Sequence, residues 1–198
     1  PLEARVDDLV SQMTLEEKTA QLGGFWIDQG DELVAPMAGE LASSTRYDDA
    51  TRDGIGHLTR VYGTRPVDPV ERAAWLWSEQ RRLRSQTRLG IPAILHEESL
   101  HGLLAREAPS YQQSIGAAAA FDPVLVEEVA SSIRRRMRAI GATVALAPVL
   151  DICRDPRWGR VEETYGEDPY LAAVLGCAYV RGLQGTDLEQ GVAATAKH

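Results

Sequence analysis

Three Asp-Pro pairs recur along this chain, each at the start of a long helical segment. Asp68-Pro69, Asp122-Pro123 and Asp168-Pro169 combine a side chain that caps a helix N-terminus with a proline that fits the first helical position. Glycines follow the helical segments and mark their ends. The pattern predicts three long helices, over residues 68–89, 122–140 and 168 to 182 or 185.

Short apolar segments separate these helices, and one more follows the last of them. They predict strands at residues 54–59, 91–96, 143–150 and 192–197. Strands that alternate with helices at this spacing are typical of βαβ units and a parallel sheet. Their small and branched residues suit the interior of a barrel. The sequence therefore predicts an α/β fold, a TIM-type (β/α)8 barrel of which this chain supplies about the first four β/α units.

The length of the chain bears on this prediction. With 198 residues, it is shorter than the roughly 250 residues of a complete TIM barrel. A parallel sheet that stops at strand four has unpaired edges, so we expect these residues to belong to a longer polypeptide, apparently truncated at strand 4. The predicted domains are N-terminal helices and a long loop over 1–53, then the first half of the barrel over 54–198. A small flavodoxin-like α/β domain is the alternative fold.

The N-terminal region has its own local pattern. Apolar residues at helical spacing predict helix within residues 2–22, and Thr14 followed by Glu17 fits a capping box that starts a second helix. Gly23-Gly24 ends it. Residues 25–53 are polar and rich in turn formers, so we expect a long loop there, with room for short helices.

Charge and hydropathy narrow the classes of partner. Asp and Glu number 29 against 21 Lys and Arg, which gives a net charge of −8. Such a surface repels nucleic acid and anionic membrane but accepts a neutral substrate. No apolar run reaches the ~18 residues of a membrane span, and the first residues lack the basic and apolar regions of a signal peptide. We therefore expect a soluble protein and favour the cytoplasm, with secretion left open.

Polar residues gather just after the predicted strands. Glu98 follows the second strand, Trp158 and Arg160 follow the third, and Lys197 and His198 end the fourth. In parallel barrels, active sites form at this carboxyl-terminal face. Carboxylates and cations hydrogen-bond sugar hydroxyls, and a Trp can stack on the apolar face of a sugar ring. The sequence has no P-loop and no GxGxxG, so these groups favour a sugar over a phosphate ligand.

Several polar residues carry a second interpretation. Arg160 could be a structural clamp for Glu163 or Glu167, and Trp158 could serve packing. Asp151 and Asp155 are interpreted as turn formers before a proline. A metal site is an alternative for one group of four residues, but its His-Glu-Glu-x-x-His spacing differs from HExxH, and no metal is predicted. The residues of that group are His96, Glu97, Glu98 and His101.

A resemblance adds to this interpretation. The stretch DPRWGRVEETYGEDP at 155–169 closely resembles the most characteristic stretch of glycoside hydrolase family 3. LHEESLHG at 95–102 is similar to the segment after strand two of that family, and ATAKH at 194–198 to its Lys-His strand end. MTLEEK at 13–18 resembles its N-terminal opening. The order and spacing of all four agree, and they span nearly the whole chain.

The resemblance implies roles for particular residues. Glu98 matches an acidic residue, Asp in many members, that hydrogen-bonds the far side of the sugar ring in subsite −1. Arg160, Lys197 and His198 match residues that bind the same ring. To these four substrate-binding residues we add Trp158 as a possible platform for the ring.

The resemblance also implies a reaction. It predicts an exo-acting retaining β-glycosidase that hydrolyses terminal β-D-glucosyl or β-D-xylosyl residues. The family nucleophile and acid/base fall outside this chain, so no catalytic residue is assigned and the 198 residues alone are expected to be inactive. The implied partners are a small neutral carbohydrate and the remaining C-terminal portion of the same enzyme. No cofactor is implied, because carboxylate chemistry suffices. The alternatives are a non-catalytic sugar-binding half-barrel and a small α/β signalling or scaffold domain.

Overall fold

The structure is a computed structural model that describes residues 1–27 and 46–198. The chain forms two compact units, Pro1–Leu95 and His96–His198. Both contain parallel strands and helices. Among the described residues, no helix combines the length and the apolar character needed to cross a membrane.

The first unit combines helices with two paired strands. β1 and β2 are parallel, with Gly24 beside His57 and Trp26 beside Thr59. The backbone N–H of Ile94 donates to the Gly56 carbonyl at 2.8 Å, where β3 begins. In chain order the elements are α1 (Leu2–Gln12), α2 (Leu15–Leu22), β1 (Gly24–Trp26), α3 (Tyr47–Ala50), β2 (His57–Thr59), α4 (Pro69–Gln86) and the start of β3 (Ile94–Glu97).

One strand of this unit was not predicted. The loop expected over 25–53 begins inside β1, whereas α3 at Tyr47–Ala50 is a short helix of the kind for which that prediction left room. A strand of three residues is too short to show the alternation that identifies strands in a sequence, and the glycine at its start is a typical breaker signal. Residues 28–45 of the predicted loop lie outside the described residues.

The second unit carries three parallel strands. β4 lies between β3 and β5, with His96 beside Val144 and Ala145 beside Ala194. The predicted α/β fold with a parallel sheet is confirmed. In chain order the elements are the end of β3, α5 (Ser114–Ala118), α6 (Pro123–Ala139), β4 (Val144–Ala145), a 3₁₀ turn (Val161–Glu163), α7 (Pro169–Gln184) and β5 (Ala193–Ala194).

The Asp-Pro helix starts are also confirmed. Asp68, Asp122 and Asp168 each accept hydrogen bonds from backbone N–H groups of the first helical turn, at 2.8–3.1 Å. A proline follows each cap at the start of α4, α6 and α7. The cap accepts from N–H groups that have no partner within the helix, and the proline lacks the N–H that would otherwise be unpaired.

Helices α6 and α7 pack against each other within the second unit. The buried residues of α6 recur at helical spacing, namely Val126, Ala130, Ile133 and Met137. On α7, a Cβ placed at Gly182 would lie 2.4 Å from the Glu127 carbonyl oxygen and 2.6 Å from the Ala130 Cβ. Glycine at this position therefore permits the close approach of the two helices.

Glu17 ties together several segments of the first unit. The predicted capping box is confirmed, because Thr14 Oγ1 accepts from the Glu17 N–H at 3.2 Å and the Thr14 N–H donates to Glu17 Oε2 at 2.9 Å. Arg88 donates from Nε to Glu17 Oε1 at 2.8 Å and from Nη2 to the Gln12 carbonyl at 2.6 Å. The Arg88 hydrogen bond lowers the pKa of Glu17 from 4.5 to about 2, with the Thr14 backbone as the next cause.

Replacing Glu17 by Gln should lower the melting temperature of the protein at neutral pH. The folded state favours the carboxylate, so its stabilisation is complete above pH 4.5 and is lost as the pH falls to about 2. The difference in melting temperature between wild type and Glu17→Gln should therefore shrink over that range. Glu16→Gln is the matched control, since Glu16 lies exposed in the same helical turn. A difference that stays constant between pH 6 and about 2 would contradict this assignment.

Candidate functional site

The backbone register at the ends of three strands brings the candidate side chains of the second unit together. Glu98 directly follows β3. Beyond β4 and β5 the chain pairs once more, with Val149 beside Lys197 in a parallel bridge. The Leu150 N–H donates to the Lys197 carbonyl at 2.6 Å, and the Lys197 N–H donates to the Pro148 carbonyl at 3.1 Å. This pairing fixes where the residues after Leu150 and Lys197 lie.

Four side chains form a continuous hydrogen-bonded row, here called the polar row: Asp151, His198, Arg160 and Glu163. Asp151 Oδ2 lies 2.7 Å from His198 Nδ1 and accepts from the His198 backbone N–H at 3.3 Å. His198 Nε2 lies 2.7 Å from Arg160 Nη1. Arg160 donates from Nε and Nη2 to the two oxygens of Glu163, at 2.9 and 2.6 Å. Such a bidentate contact fixes the plane of the guanidinium as well as its position.

The polar row holds its carboxyl groups in the charged form. The hydrogen bond from His198 is the main reason that the pKa of Asp151 lies below its ordinary value. The Arg160 hydrogen bond lowers the pKa of Glu163 more than partial burial raises it, and Glu163 in turn raises the pKa of Arg160. Both carboxyl groups therefore accept hydrogen bonds at neutral pH.

Glu98 and Lys197 form a second, looser contact beside the row. Their Oε2 and Nζ atoms are 3.9 Å apart, beyond the 2.7–3.2 Å of an N–H···O hydrogen bond. The two side chains are largely shielded, with 29% and 18% exposed respectively. The charge of Glu98 also raises the pKa of Arg160, and the charge of Lys197 lowers that of Glu163, so the second contact and the polar row share one electrostatic environment.

The structure thus brings together four of the five residues suggested by sequence. Hydrogen bonds or ion pairs connect Glu98 with Lys197, and Arg160 with His198. Trp158 does not take part in these contacts. It lies in a turn in which its N–H donates to the Asp155 carbonyl at 3.1 Å, and 38% of the residue is exposed.

Asp151 and Asp155 were both interpreted as turn formers, and the structure supports this interpretation fully only for Asp155. Asp155 is a turn former as predicted, because its Oδ1 accepts from the Arg157 N–H at 2.9 Å. The same interpretation of Asp151 missed its contact with His198, 47 positions further along the chain. The signal in the sequence was the pairing of the third and fourth predicted strands, which places the residues after both strands side by side. The alternative that Arg160 clamps Glu163 is confirmed as a contact.

The His-Glu-Glu-x-x-His stretch belongs to no metal cluster in the described part of the chain. Within residues 1–27 and 46–198, no three His, Cys, Asp or Glu side chains are placed to hold a metal ion. Glu97 is fully buried at the end of β3. The segment that includes His96, Glu98 and His101 therefore contributes Glu98 to the site without a metal cluster.

Helix α7 supports the backbone next to Glu98. The Tyr179 hydroxyl donates to the Ser99 carbonyl, and both residues are buried. Burial raises the pKa of the Tyr179 hydroxyl. A buried carbonyl with a donor avoids the cost of an unpaired polar group, so this bond fixes the segment from which Glu98 projects.

The parallel strands and helices make this an α/β protein, and its acidic and basic side chains converge beyond the strand ends, where α/β proteins bind their ligands. Residues 14–198 match the model for the glycosyl hydrolase family 3 N terminal domain. The chain therefore belongs to glycoside hydrolase family 3, and the recognised resemblance is confirmed.

Similar proteins carry two kinds of name. The chain is 33% identical over its full length to a putative β-xylosidase of Formosa agariphila, and 32% identical over its full length to a probable β-glucosidase C of Aspergillus flavus. It spans 26% and 32% of those two proteins. A solved β-glucosidase of Listeria innocua in complex with glucose is similar to 98% of this chain, with a TM-score of 0.75 and 30% identity, over 26% of its own chain.

Removing the Tyr179 hydroxyl should destabilise the protein. We expect Tyr179→Phe to lower the free energy of unfolding by about 1–2 kcal/mol, because the buried Ser99 carbonyl loses its donor. The measurement is the urea midpoint of unfolding. Tyr170→Phe, on the same helix but 76% exposed, is the matched control and should leave the midpoint unchanged. Equal midpoints for the two variants would show that the Tyr179 hydroxyl contributes nothing.

Proposed function

We propose that the polypeptide to which these residues belong is an exo-acting retaining β-glycosidase that releases terminal β-D-glucosyl residues. In this proposal, Glu98, Arg160, Lys197 and His198 bind the sugar ring in subsite −1. The observation that carries the proposal is the 3.9 Å separation between Glu98 Oε2 and Lys197 Nζ.

This separation leaves hydrogen-bonding capacity on both groups. A sugar hydroxyl can donate to a carboxylate and accept from an ammonium at the same time. Hydrogen bonds with charged groups contribute roughly 1.5–3 kcal/mol each, so two such bonds favour a hydroxyl strongly over an apolar group. The opposite charges of Glu98 and Lys197 compensate each other, and a neutral ligand leaves this compensation unchanged.

Arg160 and Trp158 extend the proposed site. Arg160 retains N–H groups beyond those bound to Glu163 and His198, and 41% of its side chain is exposed. These donors suit further hydroxyls on the same ring. Trp158 is also exposed and is proposed to stack on the apolar face of the sugar.

The relatives support a carbohydrate substrate. They are named as β-glucosidases and β-xylosidases, and the Listeria innocua enzyme was solved with glucose. A sugar ligand also fits the net charge of −8, because a neutral molecule is not repelled by an acidic surface.

Retaining hydrolysis needs two carboxyl groups about 5–5.5 Å apart, one as nucleophile and one as acid and base. Asp151 and Glu163 are poorly suited to either role, because His198 already binds one oxygen of Asp151 and Arg160 binds both oxygens of Glu163. We propose that both catalytic groups come from other parts of the polypeptide, which agrees with the 26–32% of the curated relatives that this chain spans. Residues 1–198 alone would then bind the ring without hydrolysing the glycoside.

A β-xylosidase is the second candidate, and Glu98 is the observation that favours it. Many family members have Asp at this position, and Glu is one methylene longer. Its carboxylate can reach into the space that a glucosyl C6 hydroxymethyl group would occupy. A xylosyl ring lacks that group and would avoid the clash.

The test compares kcat/KM for matched aryl β-glucosides and β-xylosides with the full-length protein. We expect hydrolysis with a β-configured first product, observed by NMR, and a preference for the glucoside. Shortening the side chain in Glu98→Asp should raise the glucoside-to-xyloside ratio by roughly tenfold, the scale of one methylene in a binding pocket.

Glu162→Asp is the control for this test, because it makes the same chemical change at an exposed position near Arg160. A wild type that favours the xyloside would support the second candidate. An unchanged ratio in Glu98→Asp would exclude contact between Glu98 and the C6 region. If the full-length protein binds sugars but does not hydrolyse glycosides, it is a non-catalytic sugar-binding protein and the proposed glycosidase activity is wrong.

A further inference from the structure

We propose that Asp151 is a positioning residue that fixes the tautomer and orientation of His198 and, through His198, the orientation of Arg160. The inference rests on the proposed function, because its consequence is the geometry with which Arg160 meets a sugar. Asp151 itself is not proposed to touch the substrate.

The position of Asp151 follows from the backbone. Leu150 and Lys197 are hydrogen-bonded neighbours, so the next residue on each segment, Asp151 and His198, also lie side by side. One oxygen of Asp151 accepts from both the backbone N–H and the ring Nδ1 of His198, at 3.3 and 2.7 Å. Two contacts to the same residue restrain the imidazole more than a single contact would.

The other ring nitrogen determines the tautomer. A guanidinium donates hydrogen bonds and cannot accept them. Because Arg160 Nη1 lies 2.7 Å from His198 Nε2, Nε2 must accept. The proton of the neutral ring is therefore on Nδ1, where the Asp151 carboxylate accepts it. An orienting carboxylate that selects one histidine tautomer is a common arrangement in enzyme sites.

Arg160 is then held from two sides. Of the five N–H donors of a guanidinium, three are used, two by Glu163 and one by His198. Two donors remain for a ligand, and their directions are set by the three that are bound. Without Asp151, the ring of His198 could rotate or change tautomer, and an N–H at Nε2 would face the N–H of Arg160.

Asp151 is not the residue that makes the turn in its segment. The turn before Arg157 is made by Asp155, which accepts from the Arg157 backbone and side chain. The hydrogen bonds of the Asp151 carboxylate to other residues go to His198. Because Asp155 supports the turn that carries Trp158, the suitable control is Glu162, an exposed acidic residue of the same loop that does not belong to the polar row.

The experiment measures kcat and KM of the full-length protein for an aryl β-glucoside, together with inhibition by glucose. We expect Asp151→Ala to raise KM and the inhibition constant of glucose, with kcat/KM reduced about 10- to 100-fold, the scale of one hydrogen bond with a charged group. Asp151→Asn should recover much of this loss, because its amide oxygen can still accept from the His198 backbone and Nδ1. Glu162→Ala should behave like wild type.

A double-mutant cycle with His198→Ala identifies the route of the effect. If Asp151 acts through His198, Asp151→Ala should cost little once the imidazole is absent. An equal cost in both backgrounds, or no cost in either, would overturn the inference and leave the proposed function standing. No effect of His198→Ala would instead contradict the proposed role of His198 in subsite −1.

A measurement without turnover completes the test. In wild-type protein labelled with ¹⁵N histidine, the ring shifts of His198, assigned by their loss in His198→Ala, report which nitrogen carries the proton. A proton on Nδ1 supports the inference even if Asp151→Ala does not fold or no hydrolysis is found. A proton on Nε2 alone, or on both nitrogens at neutral pH, would overturn it.

Discussion

Parallel pairing of β3, β4 and β5 is the constraint on which the candidate site depends. Parallel strands end at the same edge of a sheet, so residues far apart in sequence are placed side by side wherever those strands stop. Glu98 and Lys197 meet in this way, as do Asp151 and His198. The helices contribute by fixing the supporting backbone, as the Tyr179 contact with Ser99 shows next to Glu98.

The second constraint is the pairing of charges within a small volume. Three carboxylates, two cations and one imidazole lie in the same region. A charge that is partly removed from water without a partner raises the free energy of the folded state. In the polar row each side chain is hydrogen-bonded to the next one in the row, which fixes the direction of each group and pairs its charge. Glu98 and Lys197 remain 3.9 Å apart. The site therefore combines rigid groups with groups that retain capacity for a ligand, a combination that favours binding without large rearrangement.

Much of this fold could be predicted because its signals are local. An Asp that caps a helix and a Pro that follows it act within three residues, and the starts of α4, α6 and α7 agree with the prediction. β1 was missed because three residues provide no periodicity. Glu98, Arg160, Lys197 and His198 were identified by their place after strands and by family resemblance. Asp151 was missed because its partner is set by strand register, a property of two distant segments that neither segment reveals alone.

We propose that the side chains beyond the strand ends of the second unit bind one sugar ring, and a crystal structure of the full-length protein with glucose bound tests this directly. We expect one ring with hydroxyls within about 3 Å of both Glu98 and Lys197, and with a further hydroxyl at the remaining N–H groups of Arg160. A ring bound elsewhere, with Glu98 and Lys197 making no contact to it, would rule out the proposed site.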